Sequence, residues 1–143
     1  MNLPKPVPTF HWLAAVMMIA LCIAASLPGA ARAQQGGRVY ELRTYTTHEG
    51  KLEDLLARFR NHTTRLFEKN GMTNVGYWVP RDQPNTLIYV LSFPSRDAAT
   101  KAWDAFRKDE AWIAARTASE AMGPIVVKVQ SVFMDPADFS PLK

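Results

Sequence analysis

From Arg38 onward the apolar residues change period in the order two, helical, two, two, helical, two, and few folds accept that order. Arg38 to Thr46 (RVYELRTYT) alternates as a strand, with Tyr40 and Leu42 on one face and Glu41, Arg43 and Tyr45 on the other. Between Gly50 and Asn70 the spacing lengthens, and Leu52, Leu55, Leu56, Phe59, Leu66 and Phe67 fall on one side of a helix that Asn70-Gly71 ends. Thr73 to Pro80 and Asn85 to Phe93 read as two strands joined by a hairpin loop, Arg81-Asp82-Gln83-Pro84. Ser95 caps a further helix carrying Ala99, Ala102, Trp103 and Phe106. A break near Lys108-Asp109 precedes a second short helix with Trp112, Ile113, Ala115 and Met122, which Gly123-Pro124 stops. Ile125 to Met134 is the last strand, and the tail Asp135 to Lys143, with two prolines, belongs on a surface rather than in a sheet.

The order β-α-β-β-α-β is the ferredoxin-like, split-βαβ pattern of an α+β domain. It gives a four-stranded antiparallel sheet with both helical segments on one face. The other face needs a cover. If Tyr40 and Leu42 enter the core, that second face carries Tyr45, Tyr77 or Trp78, Tyr89, Val127 and Val129, and a patch so apolar marks an interface or a pocket. A symmetric homodimer stacking two such faces would form an α/β barrel able to enclose a cavity.

Residues 1–33 have a different task. Lys5 and the amino terminus give a positive start, Trp12 to Leu27 form an apolar run, and Pro28-Gly29-Ala30 followed by Ala31-Arg32-Ala33 supplies the small residues a signal peptidase accepts. Cleavage is expected after Ala33, which makes the protein periplasmic or secreted, with no stable membrane anchor once cut. An uncut anchor is the competing reading, although the run falls short of the about 20 apolar residues that span a bilayer. Lipidation fits poorly, since Cys22 lies inside the apolar run after Leu21. Residues 34–37 (QQGG) read as a flexible leader, and 38–143 as the domain.

Removing Lys5 and Arg32 with the leader leaves fifteen basic against thirteen acidic residues, a net charge of +2. That balance, with no run of lysines, argues against nucleic acid as a partner. The only cysteine leaves too, so the domain folds without disulfides and has no thiolate metal site. Its 110 residues allow one domain and one core.

Candidate functional residues follow from the faces. Glu41, Arg43 and Tyr45 share one side of the first strand, which in the dimer would be the barrel side. A carboxylate, a guanidinium and a phenol there could orient a polar group of a ligand, or form an internal salt bridge that fixes strand register. His62 lies on or beside the apolar stripe of the first helix, where it could act as a base or serve as a satisfied structural group. No second histidine stands near it, and no metal is expected. His48 is expected in an exposed loop. Trp78 and Tyr89, with Tyr77, Trp103 and Trp112, offer aromatic walls for a small apolar or planar molecule, though packing explains Trp103 and Trp112 equally well. Only one of Tyr77 and Trp78 can face the barrel. There is no glycine-rich phosphate loop, nucleophile elbow, HExxH or thiolate cluster.

Four stretches, taken in order, resemble the NIPSNAP family. They are Val39-Tyr40-Glu41-Leu42-Arg43-Thr44-Tyr45; Arg58-Phe59-Arg60-Asn61-His62-Thr63 leading to Gly71-Met72; Gly76-Tyr77-Trp78; and Asp138-Phe139-Ser140-Pro141-Leu142. The resemblance implies a dimeric α/β barrel of ferredoxin-like units and assigns no common reaction. Animal members are mitochondrial, whereas this chain has an export signal and a single domain. Families of similar fold include cofactor-free monooxygenases and haem-degrading enzymes.

Three functions are therefore expected in competition. The first is a homodimer binding a small hydrophobic or aromatic molecule in the barrel. The second is a cofactor-free oxygenase or isomerase with His62 or Tyr45 as base and Arg43 holding a developing negative charge. The third is a protein-interaction module with a solid core. None of the three requires a bound cofactor.

Overall fold

A computed structural model describes Met1 and residues 37–143, so the leader, its apolar run and the cleavage point after Ala33 lie outside the described residues. The elements are β1 (Val39–Thr47), α1 (Leu52–Arg58), a π-helical turn (Phe59–Thr63), α2 (Thr64–Lys69), β2 (Thr73–Trp78), β3 (Thr86–Phe93), α3 (Arg96–Lys108), α4 (Glu110–Ser119) and β4 (Val126–Met134). The four strands form one antiparallel sheet in the order β2-β3-β1-β4, with β1 paired to both β3 and β4. This is the ferredoxin-like α+β arrangement expected from the periods.

Local signals set the ends of the elements. Gly71 takes φ +84°, the left-handed conformation glycine adopts without steric cost, and lets Met72 N–H donate back to the Phe67 carbonyl at 3.0 Å. Ser95 Oγ accepts from Ala98 N–H at 3.1 Å and starts α3. Asp109 breaks the second helical stretch where expected, and its Oδ1 accepts from Ala111 N–H at 2.9 Å to start α4. The first helical stretch is less regular than its spacing implies. Thr63 and Thr64 hydroxyls donate to the carbonyls of Arg58 and Phe59 across the π turn, at 3.2 and 3.3 Å.

The core lies between the helices and one sheet face. Leu55, Phe59, Leu66 and Phe67 from the first helical stretch meet Leu87, Tyr89, Leu91 and Phe93 from β3, and Ala99, Ala102, Trp103 and Phe106 from α3. Phe67 packs its ring against Phe106 at 4.8 Å and Trp103 at 5.5 Å.

The register reverses the expected faces of β1. Glu41, Arg43 and Tyr45 stand directly opposite Leu91, Tyr89 and Leu87, all three fully buried beneath the helices, and directly opposed residues share a face. Glu41, Arg43, Tyr45, Tyr89 and Tyr77 therefore belong to the helix side and not to the barrel side. Tyr40 and Leu42 belong to the open side. The alternation is as read from the sequence. The faces are exchanged because the Glu41 carboxylate is paired inside the core, by Arg43, Ser131 and Trp103.

The open face is apolar nonetheless. Val132, Leu42 and Val90 run across it in one row, followed by Gly76, while Trp78 and Ile88 stand in the next with Thr44 and Gln130. Trp78 is 53% and Val132 55% exposed. The choice between Tyr77 and Trp78 is settled by pairing. Tyr77 opposes Tyr89 on the helix side, and Trp78 opposes Ile88 on the open side. Trp78 folds its indole over Gly76, where any side chain would collide with it.

Candidate functional site

Beneath α3, Glu41 is only 1% exposed, and a carboxylate so buried must be paired. Its Oε1 accepts from Arg43 Nη1 at 2.7 Å and from Ser131 Oγ at 2.5 Å, and its Oε2 accepts from Trp103 Nε1 at 2.6 Å. Donors from β1, β4 and α3 thus converge on one group. The Arg43 guanidinium carbon lies 4.2 Å from the centre of the Trp103 ring and 5.6 Å from that of Tyr45. This is the internal salt bridge anticipated as one reading of the trio.

The cluster continues through the tyrosines. The rings of Tyr45 and Tyr89 meet edge-on at 5.3 Å, and the fully buried Tyr89 hydroxyl has no hydrogen-bond partner of proper geometry. Burial above all, with the Tyr45 hydroxyl nearby, holds the Tyr89 phenol well above its ordinary pKa, against the pull of Arg43. Burial opposes the Arg43 charge, but Tyr89, Tyr45 and Glu41 outweigh it and the net shift is upward. Arg43 is a permanent cation.

Tyr45 is also the wall of a cleft. A depression of about 290 Å³ lies between α4 and the edge strand β4, with Tyr45, Trp112, Val126, Val127 and Val129 as its apolar lining and Arg58, Arg116, Glu120 and Lys128 as its charged lining. It exists because α4 covers the sheet incompletely. Only Ala115 of α4 is buried, Trp112 is half-buried, and Val129 of β4 stays 43% exposed on the same side as Tyr45.

Arg58 is the inner cation of this cleft, and the sequence reading missed it. The last residue of α1 and 4% exposed, it donates through Nη1 to Glu120 Oε1 at 2.9 Å and Ser119 Oγ at 3.1 Å, with its guanidinium 5.3 Å from the Trp112 ring centre. Its Nε has no partner. Glu120 also accepts from Arg116 Nε at 3.2 Å. Burial works against its charge, but the Arg58 hydrogen bond and the Arg116 charge prevail and hold its pKa below the ordinary carboxylate range. Its partners lie 61 and 62 residues from Arg58, so no local pattern could announce the group.

The remaining candidates lie apart. His62 is exposed on the π turn and does not line the cleft. Thr63, four residues after Phe59 and four before Phe67, is 1% exposed and takes the inward place instead. Trp78 lies on the open face, away from Glu41, Arg43, Tyr45 and Tyr89, which do come together. His48 is exposed, as expected. A broader depression of about 470 Å³ over Lys69, Asn70, Lys108 and Asp109 is a poorer site. The Asp109 carboxylate there is already engaged by Lys69 at 2.8 Å, Asn70 at 3.0 Å and Ala111 N–H. Among the described residues no group of three or more His, Cys, Asp or Glu side chains could hold a metal ion, and no helix is long and apolar enough to cross a membrane.

Comparison with known proteins agrees with this architecture. A family model described as NIPSNAP matches residues 40–141. Among solved structures, a NIPSNAP family protein with unknown function from Agrobacterium tumefaciens is similar at 21% identity and TM-score 0.67, over 76% of this chain and 96% of that one. A NIPSNAP-like domain protein from Burkholderia xenovorans is similar at 14% identity and TM-score 0.66, over 76% and 93%. SnoaB, a cofactor-independent oxygenase from Streptomyces nogalater, is similar at 16% identity and TM-score 0.55, over 73% and 98%. No curated protein matches.

Proposed function

The chain belongs to the NIPSNAP family, and from that premise we propose that it is an exported homodimer which holds a small apolar or aromatic molecule in the cleft between α4 and β4. The observation that carries this reading is the lining itself: two aromatic rings, Tyr45 and Trp112, face three valines across about 290 Å³. The ligand site moves from the barrel to the helix side because Glu41, Arg43 and Tyr45 lie there. Of these, Tyr45 touches the cleft directly, while Glu41 and Arg43 hold it from behind.

The dimer rests on a separate argument. The row Val132, Leu42, Val90 and the exposed Trp78 make an apolar surface on a sheet whose other face is already covered, and a second copy offers the same surface in return. Export rests on the apolar run Trp12 to Leu27 and the Ala31-Arg32-Ala33 site. If it holds, protein recovered from the periplasm or medium begins at Gln34, which mass spectrometry of the intact chain reads directly.

The cleft reading is tested by closing it. Val129→Trp places an indole into the cleft from a half-exposed edge position. The substitution should abolish binding of a panel of small aromatic compounds, scored by the Trp112 indole resonance, while leaving Tm nearly unchanged. Unaltered binding in the variant, or no binding by the parent protein, ends the reading.

A cofactor-free oxygenase is the second reading, supported by the Arg43 guanidinium set beside both the Tyr45 and Tyr89 rings and by the fold shared with SnoaB. In it Tyr45, at the cleft wall, is the proton acceptor, and Arg43 balances the charge that develops. His62 has no part, being exposed elsewhere. Oxygen uptake with an electron-rich phenol, lost in Tyr45→Phe, would support it, and a rate equal to the protein-free blank would remove it.

A further inference from the structure

The charges around the cleft are unequal. Arg58 and Arg116 line it against the single carboxylate of Glu120, whereas Lys128, opposite Thr46, starts from the open face of the sheet. Glu120 is shared by Arg58 and Arg116, so one negative charge is divided between two cations. Arg58 Nε is buried and is a donor without an acceptor.

Filling this cleft removes water from those groups. A neutral apolar guest would strip hydration from Arg116 and return nothing, a cost that grows as the local dielectric falls. A guest carrying one anionic group returns charge-assisted hydrogen bonds instead. Two anionic groups would overshoot, because Glu120 stays ionised beside them. The volume, about 290 Å³ and just under the about 300–1,000 Å³ common for ligand sites, suits a small body rather than a long chain.

We infer that the cleft selects small apolar acids, molecules with a flat or compact hydrocarbon body and a single carboxylate. The body lies against Tyr45, Trp112 and Val129, and the carboxylate lies beside Arg116. This specificity rests on the cleft being a ligand site at all, and the experiment separates the two.

The purified protein is titrated with 2-naphthoate and with 2-naphthalenemethanol, its neutral counterpart of like shape, following the Trp112 indole resonance at low and at high salt. The acid should bind roughly five- to ten-fold more tightly at low salt, and the advantage should shrink as salt screens the cations. Arg116→Gln, an exposed position that leaves the core untouched, should bring the acid down to the level of the alcohol. Equal binding of the two compounds by the parent protein overturns the preference for acids and leaves the cleft as a ligand site. A preference that survives this substitution also overturns it. Binding of neither compound removes the ligand site and the inference together.

Discussion

The indole nitrogen of Trp103 donates to Glu41 Oε2 at 2.6 Å and ties α3 to the central strand through the interior of the layer between helices and sheet. Arg43 and Ser131 complete the set on the other oxygen. The carboxylate is thus a hub joining three elements that are remote in sequence, and its burial is tolerated because each of its oxygens is engaged.

Removing the hub leaves a buried guanidinium without a counter-charge. Glu41→Ala should therefore lower unfolding free energy by about 3–5 kcal/mol, measured by urea denaturation. The double substitution Glu41→Leu with Arg43→Met should recover most of that, since an apolar pair replaces an ionic one. A single substitution costing under about 1 kcal/mol would show that the carboxylate is not needed to hold the layer together.

Gly76 is open to a similar test through its neighbour. A Cβ built there comes within 2.8 Å of Trp78 Cζ2, so Gly76→Ala must push the indole off the sheet. The expected loss is about 1–3 kcal/mol, the range for overpacking. In a Trp78→Ala background the same change should be nearly neutral, and a double-mutant cycle with no coupling would disprove the contact.

Leu42 stands in the middle of the open row, between Val132 and Val90. If two copies meet on this face, Leu42→Arg places a charge at the centre of their contact. Sedimentation should then give a dimer for the parent protein and a monomer for the variant at every concentration. A monomeric parent protein would discard the dimer, and with it the reason for an apolar open face.

Acid should loosen the junction of α2 with α4 before the core. Lys69, then Asn70 and the Ala111 N–H, hold the Asp109 carboxyl down to a pKa of about 2, below its value in an unfolded chain. The sign follows: a depressed carboxyl contributes stability above its unfolded pKa of about 3.9 and loses it as pH falls through about 2. Urea midpoints of the parent protein and Asp109→Asn, which keeps a helix cap but not the ion pair, should differ at pH 6 and converge toward pH 2. A difference constant across that range would assign the effect to something other than this carboxyl.

Much of this fold could be read along the chain because its signals are local. Periods mark the elements, Asn70-Gly71 ends the first helical stretch, Ser95 opens α3 and Asp109 splits it from α4. The faces of β1 were not legible, since Glu41 is neutralised in the core partly by Trp103 and Ser131, 62 and 90 residues away. Binary patterning sends charged residues to water by default and has no means of seeing such partners. The π turn is hidden for a related reason. Its only local trace is the adjacent pair Thr63-Thr64, whose hydroxyls occupy carbonyls of the preceding turn. His62 falls beside the stripe because it precedes Leu66 by four, but Thr63, four residues from both Phe59 and Phe67, takes the inward place, and no local pattern marks Arg58 as buried.

The position of β1 bears on how this sequence can drift. Val39–Thr47 is hydrogen-bonded on both edges, lies under helices on one side, and has no fully exposed residue on the other. Such a segment has few replaceable letters, because every substitution meets a neighbour in some direction. Divergence among relatives should therefore accumulate in the hairpin Arg81–Pro84 and in the closing residues after Met134, while the central strand stays the most faithful stretch of the chain.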